Sequence, residues 1–370
     1  MLSNSKLGFG LMRLPQKDGS FDIDQIKKMV DQYISAGFNY FDTAYVYPGS
    51  EEVTKEALTK RYPREAFTLA DKLPAWCISS EEDILRIFNE SLERCGVEYF
   101  DFYLLHSVEK NHLEKYIKYN CFDFCRKMKK DGRIKYWGFS FHDKPELLDK
   151  ILKDNPDIDF VQLQINYADW ESKLVMSCEN YEVALKHNKP IVVMEPVKGG
   201  YLAELPEKVE KVFRSYDINA SNASWALRWI ASKPNVMTVL SGMSDIQQTK
   251  DNIATFKPFK ALTAEEEGVV DKARNVLLGI PSIPCTSCSY CTQGCPVEIP
   301  IPDVFRSIND TKIYGINTRA FFNYRNATKS LEHGVDKCIE CGQCESVCPQ
   351  HINIIEEMKQ IPILFKEYLK

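Results

Sequence analysis

The sequence predicts an α/β protein, a closed (β/α)8 TIM barrel followed by a small, mainly helical module rich in cysteine. Three observations carry that expectation. Between Leu7 and Gly242, short apolar runs alternate eight times with amphipathic helical stretches, and eight such units in about 240 residues match the size of a closed barrel. Eight of the 13 cysteines fall within the last 90 residues. The 370-residue chain is 44% hydrophobic and 27% charged, ample material for a buried core, and its length suggests two domains. The boundary falls near 278–284, giving a barrel at 1–280 and a second domain at 281–370. This composition excludes a disordered chain and a fibrous repeat.

The strand candidates are 6–11, 38–42, 67–72, 100–106, 134–140, 160–165, 190–195 and 236–241. Between the first two, Ile26, Met29, Val30, Tyr33 and Ile34 recur at helical spacing, Asp22 or Asp24 can cap, and Gly37 can terminate the helix. Before Cys95 the same logic gives a cap at Ser79 or Ser80, a face of Ile84, Leu85, Phe88 and Leu92, and an end at Gly96. A doubly wound open sheet is the rival architecture. It would prefer a GxGxxG turn after the first strand, whereas Gly8-Phe9-Gly10 is a lone GxG inside a strand. In a barrel, chemistry sits at the carboxyl ends of the strands. Past Pro258 a helix capped by Thr263 (Glu265 to Leu277) leads through Pro281 and Pro284 into the cysteine-rich tail.

The formal net charge is −5, so no basic excess exists to bind nucleic acid. No run approaches the roughly 18 apolar residues of a membrane span. Met1 to Leu14 lacks the basic, apolar and small-residue segments of an export signal, so the expectation is a soluble cytoplasmic protein. In a reducing compartment, clustered thiolates are metal ligands rather than disulfides. The scattered Cys77, Cys95, Cys121, Cys125 and Cys178 read as small buried hydrophobes.

Two segments of the tail obey one rule, C-x2-C-x2-C-x3-C-P. They are Cys285, Cys288, Cys291, Cys295, Pro296 and Cys338, Cys341, Cys344, Cys348, Pro349. This is the run of bacterial two-cluster ferredoxins, in which the fourth cysteine ligates the other cluster. One [4Fe–4S] cluster then takes Cys285, Cys288, Cys291 and Cys348. The other takes Cys338, Cys341, Cys344 and Cys295. Structural zinc, the rival, uses two pairs across a longer spacer and has no need of the third cysteine. The tail resembles bacterial-type ferredoxin modules, with a longer spacer between the motifs, like the helical variety fused to redox enzymes.

In the barrel, Asp42 with Tyr47, Lys72 and His106 stand at or just past the ends of three successive strands. An ammonium beside a tyrosine favours the phenolate, so Lys72 is expected to lower the Tyr47 pKa, with Asp42 holding the ammonium in place. His106 can hydrogen-bond a substrate oxygen. The segments FDTAYVYPGSEE (41–52), ADKLP (70–74), YLLH (103–106), GFS (138–140), VQLQINY (161–167), EPVKGGYL (195–202), WALRW (225–229) and LSGMSDIQQTKDNI (240–253) appear in order across about residues 6–260. Here the chain resembles the aldo-keto reductases. The resemblance implies that Asp42, Tyr47, Lys72 and His106 form the family's catalytic tetrad, with Tyr47 as general acid in carbonyl reduction.

It also implies a nicotinamide cofactor, NAD(H) or NADP(H). Ser140 and Gln162 match positions that contact the carboxamide, although Phe141 stands where the family usually has Asn. Met194 sits where many members stack an aromatic ring on the nicotinamide. Ser244-Asp245-Ile246-Gln247 reads as a capping box opening a helix whose N-terminus suits a phosphate, and Asn252 matches a position near the adenine. Gly242, Met243 and Gln248 occupy positions where NADP-dependent members often carry Lys, Ser and Arg, which predicts little preference for the phosphorylated cofactor. Trp76, the loop 107–125, Tyr167 and Trp170 are candidates to shape the pocket.

Two functions follow. One is an aldo-keto reductase-type oxidoreductase acting on a small carbonyl or alcohol, with an attached electron-transfer module and an electron-transfer protein as a further partner. The other is an electron-transfer or redox-sensing protein on a barrel scaffold. The complete tetrad favours the first, and the departures at the dinucleotide positions favour the second.

Overall fold

A computed structural model describes residues 5–173, 175–285, 288–315 and 318–369. The chain divides into two compact units, Met1–Ala203 with Asp217–Val270, and Glu204–Tyr216 with Asp271–Lys370. The second unit thus draws one segment from within the barrel's stretch of sequence.

The first unit is a closed barrel of eight parallel strands. They are β1 (Leu7–Gly10), β2 (Tyr40–Asp42), β3 (Thr68–Pro74), β4 (Phe100–Val108), β5 (Ile134–Phe141), β6 (Phe160–Gln164), β7 (Ile191–Met194) and β8 (Val236–Ser241). Each strand pairs with its sequence neighbours, and β8 closes on β1 through Phe9 opposite Ser241. All eight lie where the apolar runs predict them.

Strand alternation sorts the side chains into two layers. Phe9 and Phe41 turn outward onto Tyr33 of the helix Ile23–Ser35, with ring centroids 5.4 and 5.1 Å away. Inward, Tyr40, Ala70, Phe102, Leu104, Phe160, Val192, Met237 and Leu240 form a buried apolar cluster. Each buried side chain of the size of Leu or Phe contributes about 1.5–3 kcal/mol. Two residues further along the strands the inward positions become Asp42, Lys72, His106, Gln162 and Met194. The same alternation that fills the barrel therefore lays a polar layer on top of the apolar plug.

Helix ends follow the chemistry of their residues. Asp22 accepts the Gln25 N–H at 3.0 Å, and Gly37 just past the helix adopts φ +94°. Ser80 and Asp83 form a reciprocal capping box, and the buried face of that helix is Ile84, Ile87, Phe88, Ser91, Leu92 and Cys95. Leu85, expected on this face, is exposed, and Ile87 takes its place. A two-stranded hairpin, Gln16–Lys17 with Ser20–Phe21, was not anticipated. Its turn, Asp18-Gly19 with φ +52° and +78°, is the dipeptide that tolerates two left-handed residues in succession.

The second unit has its own core, which includes Ile299, Val304, Phe305, Ile308, Tyr324, Ile354 and Phe365. Helices Ile301–Tyr314 and Thr318–Ala327 fill most of the spacer between the cysteine motifs. No helix is long and apolar enough to cross a membrane among the described residues.

Candidate active site and cluster sites

The two cysteine runs fold alike. Each places its third cysteine in a four-residue helix, Tyr290–Gln293 and Gln343–Ser346. The preceding residues, Ser289 and Gly342, are both left-handed, with φ +62° and +74°. Three residues past each fourth cysteine, Glu298 and His351 are left-handed again, and their N–H groups donate to Cys295 and Cys348 carbonyls at 3.1 Å. Two runs with one backbone path present thiols in one geometry.

The thiols converge on two cavities. One is lined by Cys285, Cys288, Cys291 and Cys348 together with Phe305 and Ile354. The other is lined by Cys295, Cys338, Cys341 and Cys344 with Ile299 and Ile301. In each, three cysteines come from one motif and the fourth from the other. Four soft sulfur donors around an apolar-walled cavity suit an iron–sulfur cluster. The Ile299 N–H donates to Cys295 Sγ at 3.4 Å, the kind of contact that tunes a cluster's potential. Cys288 and Cys341 are exposed, so each cavity has an edge at the surface.

In the barrel, Lys72 is buried and its Nζ donates to Asp42 Oδ1 and to the Thr43 carbonyl, both at 2.6 Å. The same Nζ lies 5.0 Å from the centre of the Tyr47 ring. The His106 ring stands edge-on to that ring, centroids 5.9 Å apart. The structure thus brings Asp42, Tyr47, Lys72 and His106 together. Burial works against the ammonium, but Asp42 and Tyr47 outweigh it, and Lys72 titrates above its ordinary value. Burial raises the Tyr47 pKa, and the opposing effect of Lys72 does not overcome it. The expected fall in the Tyr47 pKa is therefore corrected. The phenol stays protonated at neutral pH, and Lys72 acts by stabilising the phenolate once the proton has left. Burial, then Lys72, pushes the His106 pKa well down, so its imidazole is neutral.

The positions matched to a nicotinamide cofactor divide into two groups. Gln162 sits in the polar layer, donates to Asp42 Oδ2 at 3.4 Å, and leaves its buried Oε1 without a partner. Ser140 Oγ accepts the Ser107 N–H at 2.7 Å, and Met194 is half-buried at the end of β7. An orphaned carboxamide oxygen beside the tetrad fits the amide of a nicotinamide. At the far end, helix Ile246–Phe256 is capped by Asp245, which accepts the Gln248 N–H at 2.8 Å, while Gln248 Oε1 accepts the Ser244 N–H at 2.8 Å. The cap is therefore Asp245, one residue later than the sequence suggests, and Gln248 reaches back past it to Ser244 instead of closing a capping box. Asn252 is buried and donates to Ser241 Oγ at 2.6 Å, and Met243 is buried.

Trp76, nearly half exposed, packs between His106 and His112, with centroids 5.2 and 5.1 Å away. Tyr167 and Trp170 instead pack on Trp229. Behind Lys72 lies a group that sequence reasoning missed. Asp71, Glu51 and Cys95 are all buried with their ligating atoms within 4.8 Å of one another. Asp71 accepts the Lys72 N–H at 2.6 Å and the Cys95 thiol at 3.7 Å. Burial and then the neighbouring Glu51 carboxyl drive the Asp71 pKa far up. The signal was the Asp beside the strand-end Lys, which alternation turns out of the barrel.

A parallel barrel with an ion-paired lysine, a tyrosine and a histidine at its strand ends, joined to a module of paired four-thiol sites, defines an oxidoreductase with an iron–sulfur domain. The aldo/keto reductase family model matches residues 6–275, and a 4Fe-4S dicluster domain matches 284–353. The chain belongs to the aldo/keto reductase family. It is 25% identical over 300 residues to an uncharacterized oxidoreductase, YqkF, of Bacillus subtilis, covering 72% of this chain and 91% of that protein. An aldo-keto reductase from Bacillus halodurans in its holo form superposes with a TM-score of 0.57 at 26% identity, over 72% of this chain and 91% of that one. An aldo-keto reductase from Klebsiella pneumoniae, solved in complex with NADPH, shares the fold at 20% identity and TM-score 0.57, over 72% and 90% of the two chains.

Proposed function

We propose that the barrel reduces a small carbonyl compound to an alcohol, or runs the reverse reaction, with Tyr47 as general acid and base. The observation that carries this reading is the Lys72 ammonium, fixed by Asp42 and Thr43 and facing the Tyr47 ring at 5.0 Å. A reduced nicotinamide, when bound there, would supply hydride for carbonyl reduction. Gln162 Oε1 and Ser140 would hold its carboxamide, with Met194 beside the ring. The neutral His106 offers a hydrogen bond to the carbonyl oxygen and orients it. Tyr47 gives its proton to that oxygen as negative charge develops there, and Lys72 stabilises the phenolate left behind. Asp42 keeps the lysine in place and, through Gln162, links it to the cofactor positions.

The second domain, placed at 281–370, would hold two [4Fe–4S] clusters by the crossed cysteine sets. Such clusters supply one-electron transfer, and the exposed Cys288 and Cys341 put each within reach of an electron-transfer protein. The test is anaerobic purification with iron and sulfide analysis, followed by carbonyl screening with NADH and NADPH. About eight iron and eight sulfide per chain are expected, with nicotinamide oxidation that depends on the carbonyl. Stoichiometric zinc without sulfide would sink the cluster assignment. Tyr47→Phe keeps the ring and its packing but should cut turnover about 10²–10⁴-fold.

A further inference from the structure

Asp71, Glu51 and Cys95 meet between the barrel wall and its helices, on the far side of β3 from the tetrad. Asp71 precedes Lys72 and turns to the opposite face, and its register partner on β4, Tyr103, turns outward with it. The helix Glu81–Cys95 carries Ser91 and Cys95 one turn apart on its buried face. Glu51 comes from the short helix Ser50–Thr54, four residues past Tyr47. None of these five residues is more than 1% exposed.

The group is rich in ligand atoms and poor in partners. Asp71, Glu51 and Cys95 each offer one atom, and the three lie within 4.8 Å of one another. Glu51 Oε2 meets Arg94 Nη1 at 3.1 Å, but Oε1 has no hydrogen-bond partner among the described residues. Neither do Ser91 Oγ and the Tyr103 hydroxyl, although Tyr103 lies close enough to feel the charges of both Asp71 and Glu51. Three buried, unpartnered polar atoms grouped around two carboxyls and a thiol mark a place for a guest. Charge says which kind. Lys72 is paired with Asp42 on the inner face, so the three potential anions have Arg94 as their nearest cation. A divalent ion together with Arg94 neutralises all three. One sulfur with carboxylate oxygens suits Zn²⁺, with Zn–S about 2.3 Å and Zn–O about 2.0–2.2 Å in a tetrahedron. Two such ligands of one ion stand about 3.6 Å apart. Cys95 Sγ and Asp71 Oδ2 are 3.7 Å apart.

We propose that Asp71, Glu51 and Cys95 bind one Zn²⁺ ion, with a water held by the Ser91 and Tyr103 hydroxyls in the fourth position. The ion fastens the loop that bears Tyr47 to the strand that bears Lys72. Binding releases the thiol proton and any carboxyl proton to solvent, and nothing is oxidised or reduced. Arg94 lines an open groove with Glu52, Glu90 and Glu93, an acidic approach from the surface to Glu51. The ligands face away from the barrel interior, so the ion's role is structural. The inference does not depend on what the barrel reduces.

The test is zinc, iron and sulfide analysis of a single sample. The full chain, prepared anaerobically with its clusters loaded, is incubated with zinc chloride and desalted. About one zinc per chain is expected beside about eight iron and eight sulfide. Zinc-edge X-ray absorption should show one sulfur at about 2.3 Å among oxygen ligands. Cys95→Ala and Glu51→Gln should each lower retained zinc about tenfold or more with iron and sulfide unchanged. Cys125→Ala, which removes another buried thiol of the barrel, should keep the zinc. Added zinc should raise the wild-type melting temperature by about 3 °C or more and leave that of Glu51→Gln unmoved. That second reading stands even if Cys95→Ala does not fold. No zinc in the wild type, or zinc retained by Cys95→Ala and Glu51→Gln, would overturn the proposal. So would a shell of four sulfurs, which places the ion in a cluster site. Carbonyl turnover enters none of these readings, so failure here leaves the proposed reduction standing.

Discussion

The strand ends of the barrel and the cysteine-rich unit solve opposite problems. In the barrel the reactive groups are already held by protein: Lys72 by Asp42 and Thr43, Ser140 by Ser107, and Asn252 by Ser241. In the second unit the thiols face two apolar-walled cavities and need a guest to hold them together. One site is organised by packing and the other by what it binds. Removing the guest should therefore unmake one unit and spare the other.

The largest expected effect follows directly. Stripping iron with an oxidant and a chelator should make the second unit sensitive to protease, leaving a resistant fragment ending near residue 280. Limited proteolysis with mass spectrometry reads this, and co-operative loss of the whole chain would contradict it. The next test concerns the crossed ligation. Cys288→Ser with Cys348→Ser should damage a single cluster and leave about four iron per chain. Cys288→Ser with Cys295→Ser should damage both. If each motif held its own cluster, the two results would be exchanged.

Smaller effects come from buried titrating groups in the barrel. His106 and His142 both have pKa values lowered from 6.5, chiefly by burial. The unfolded chain takes up those protons as the pH falls through about 6.5, while the folded chain does not, so acid favours unfolding. The melting temperature should fall below that pH, and His142→Gln should flatten the decline. Asp71 has the opposite sign. Its raised folded pKa gives stability that is full below 3.8 and is lost as the pH rises through the folded value. Asp71→Asn keeps an acceptor for the Lys72 N–H and removes the buried charge. In the zinc-free chain it should gain about 1 kcal/mol at pH 8, read from denaturant melts, and a loss there would mean that the carboxyl pair is needed intact.

Much of this was legible in the sequence, for reasons particular to each region. The eight strands could be read because a parallel strand is apolar on both faces. The cysteine sets could be read because the spacing fixes which thiols face which cavity. Leu85 misled because it shares its helix with Ile87, and only packing selects which of the two faces inward. The direction of the Tyr47 pKa was missed because burial is a property of the fold, and here it exceeds the pull of the neighbouring ammonium.

The central claim is that Tyr47 and Lys72 act as one proton-transfer unit, and a double-mutant cycle on kcat for carbonyl reduction tests it most directly. Tyr47→Phe and Lys72→Met should each lower turnover about 10²–10⁴-fold with iron content unchanged. The double variant should lose little more than the worse single one, because either change disables the same step. Multiplying losses would mean separate roles for the two residues. Near-parental turnover in Tyr47→Phe would contradict the account outright and leave the barrel as a scaffold for the clusters.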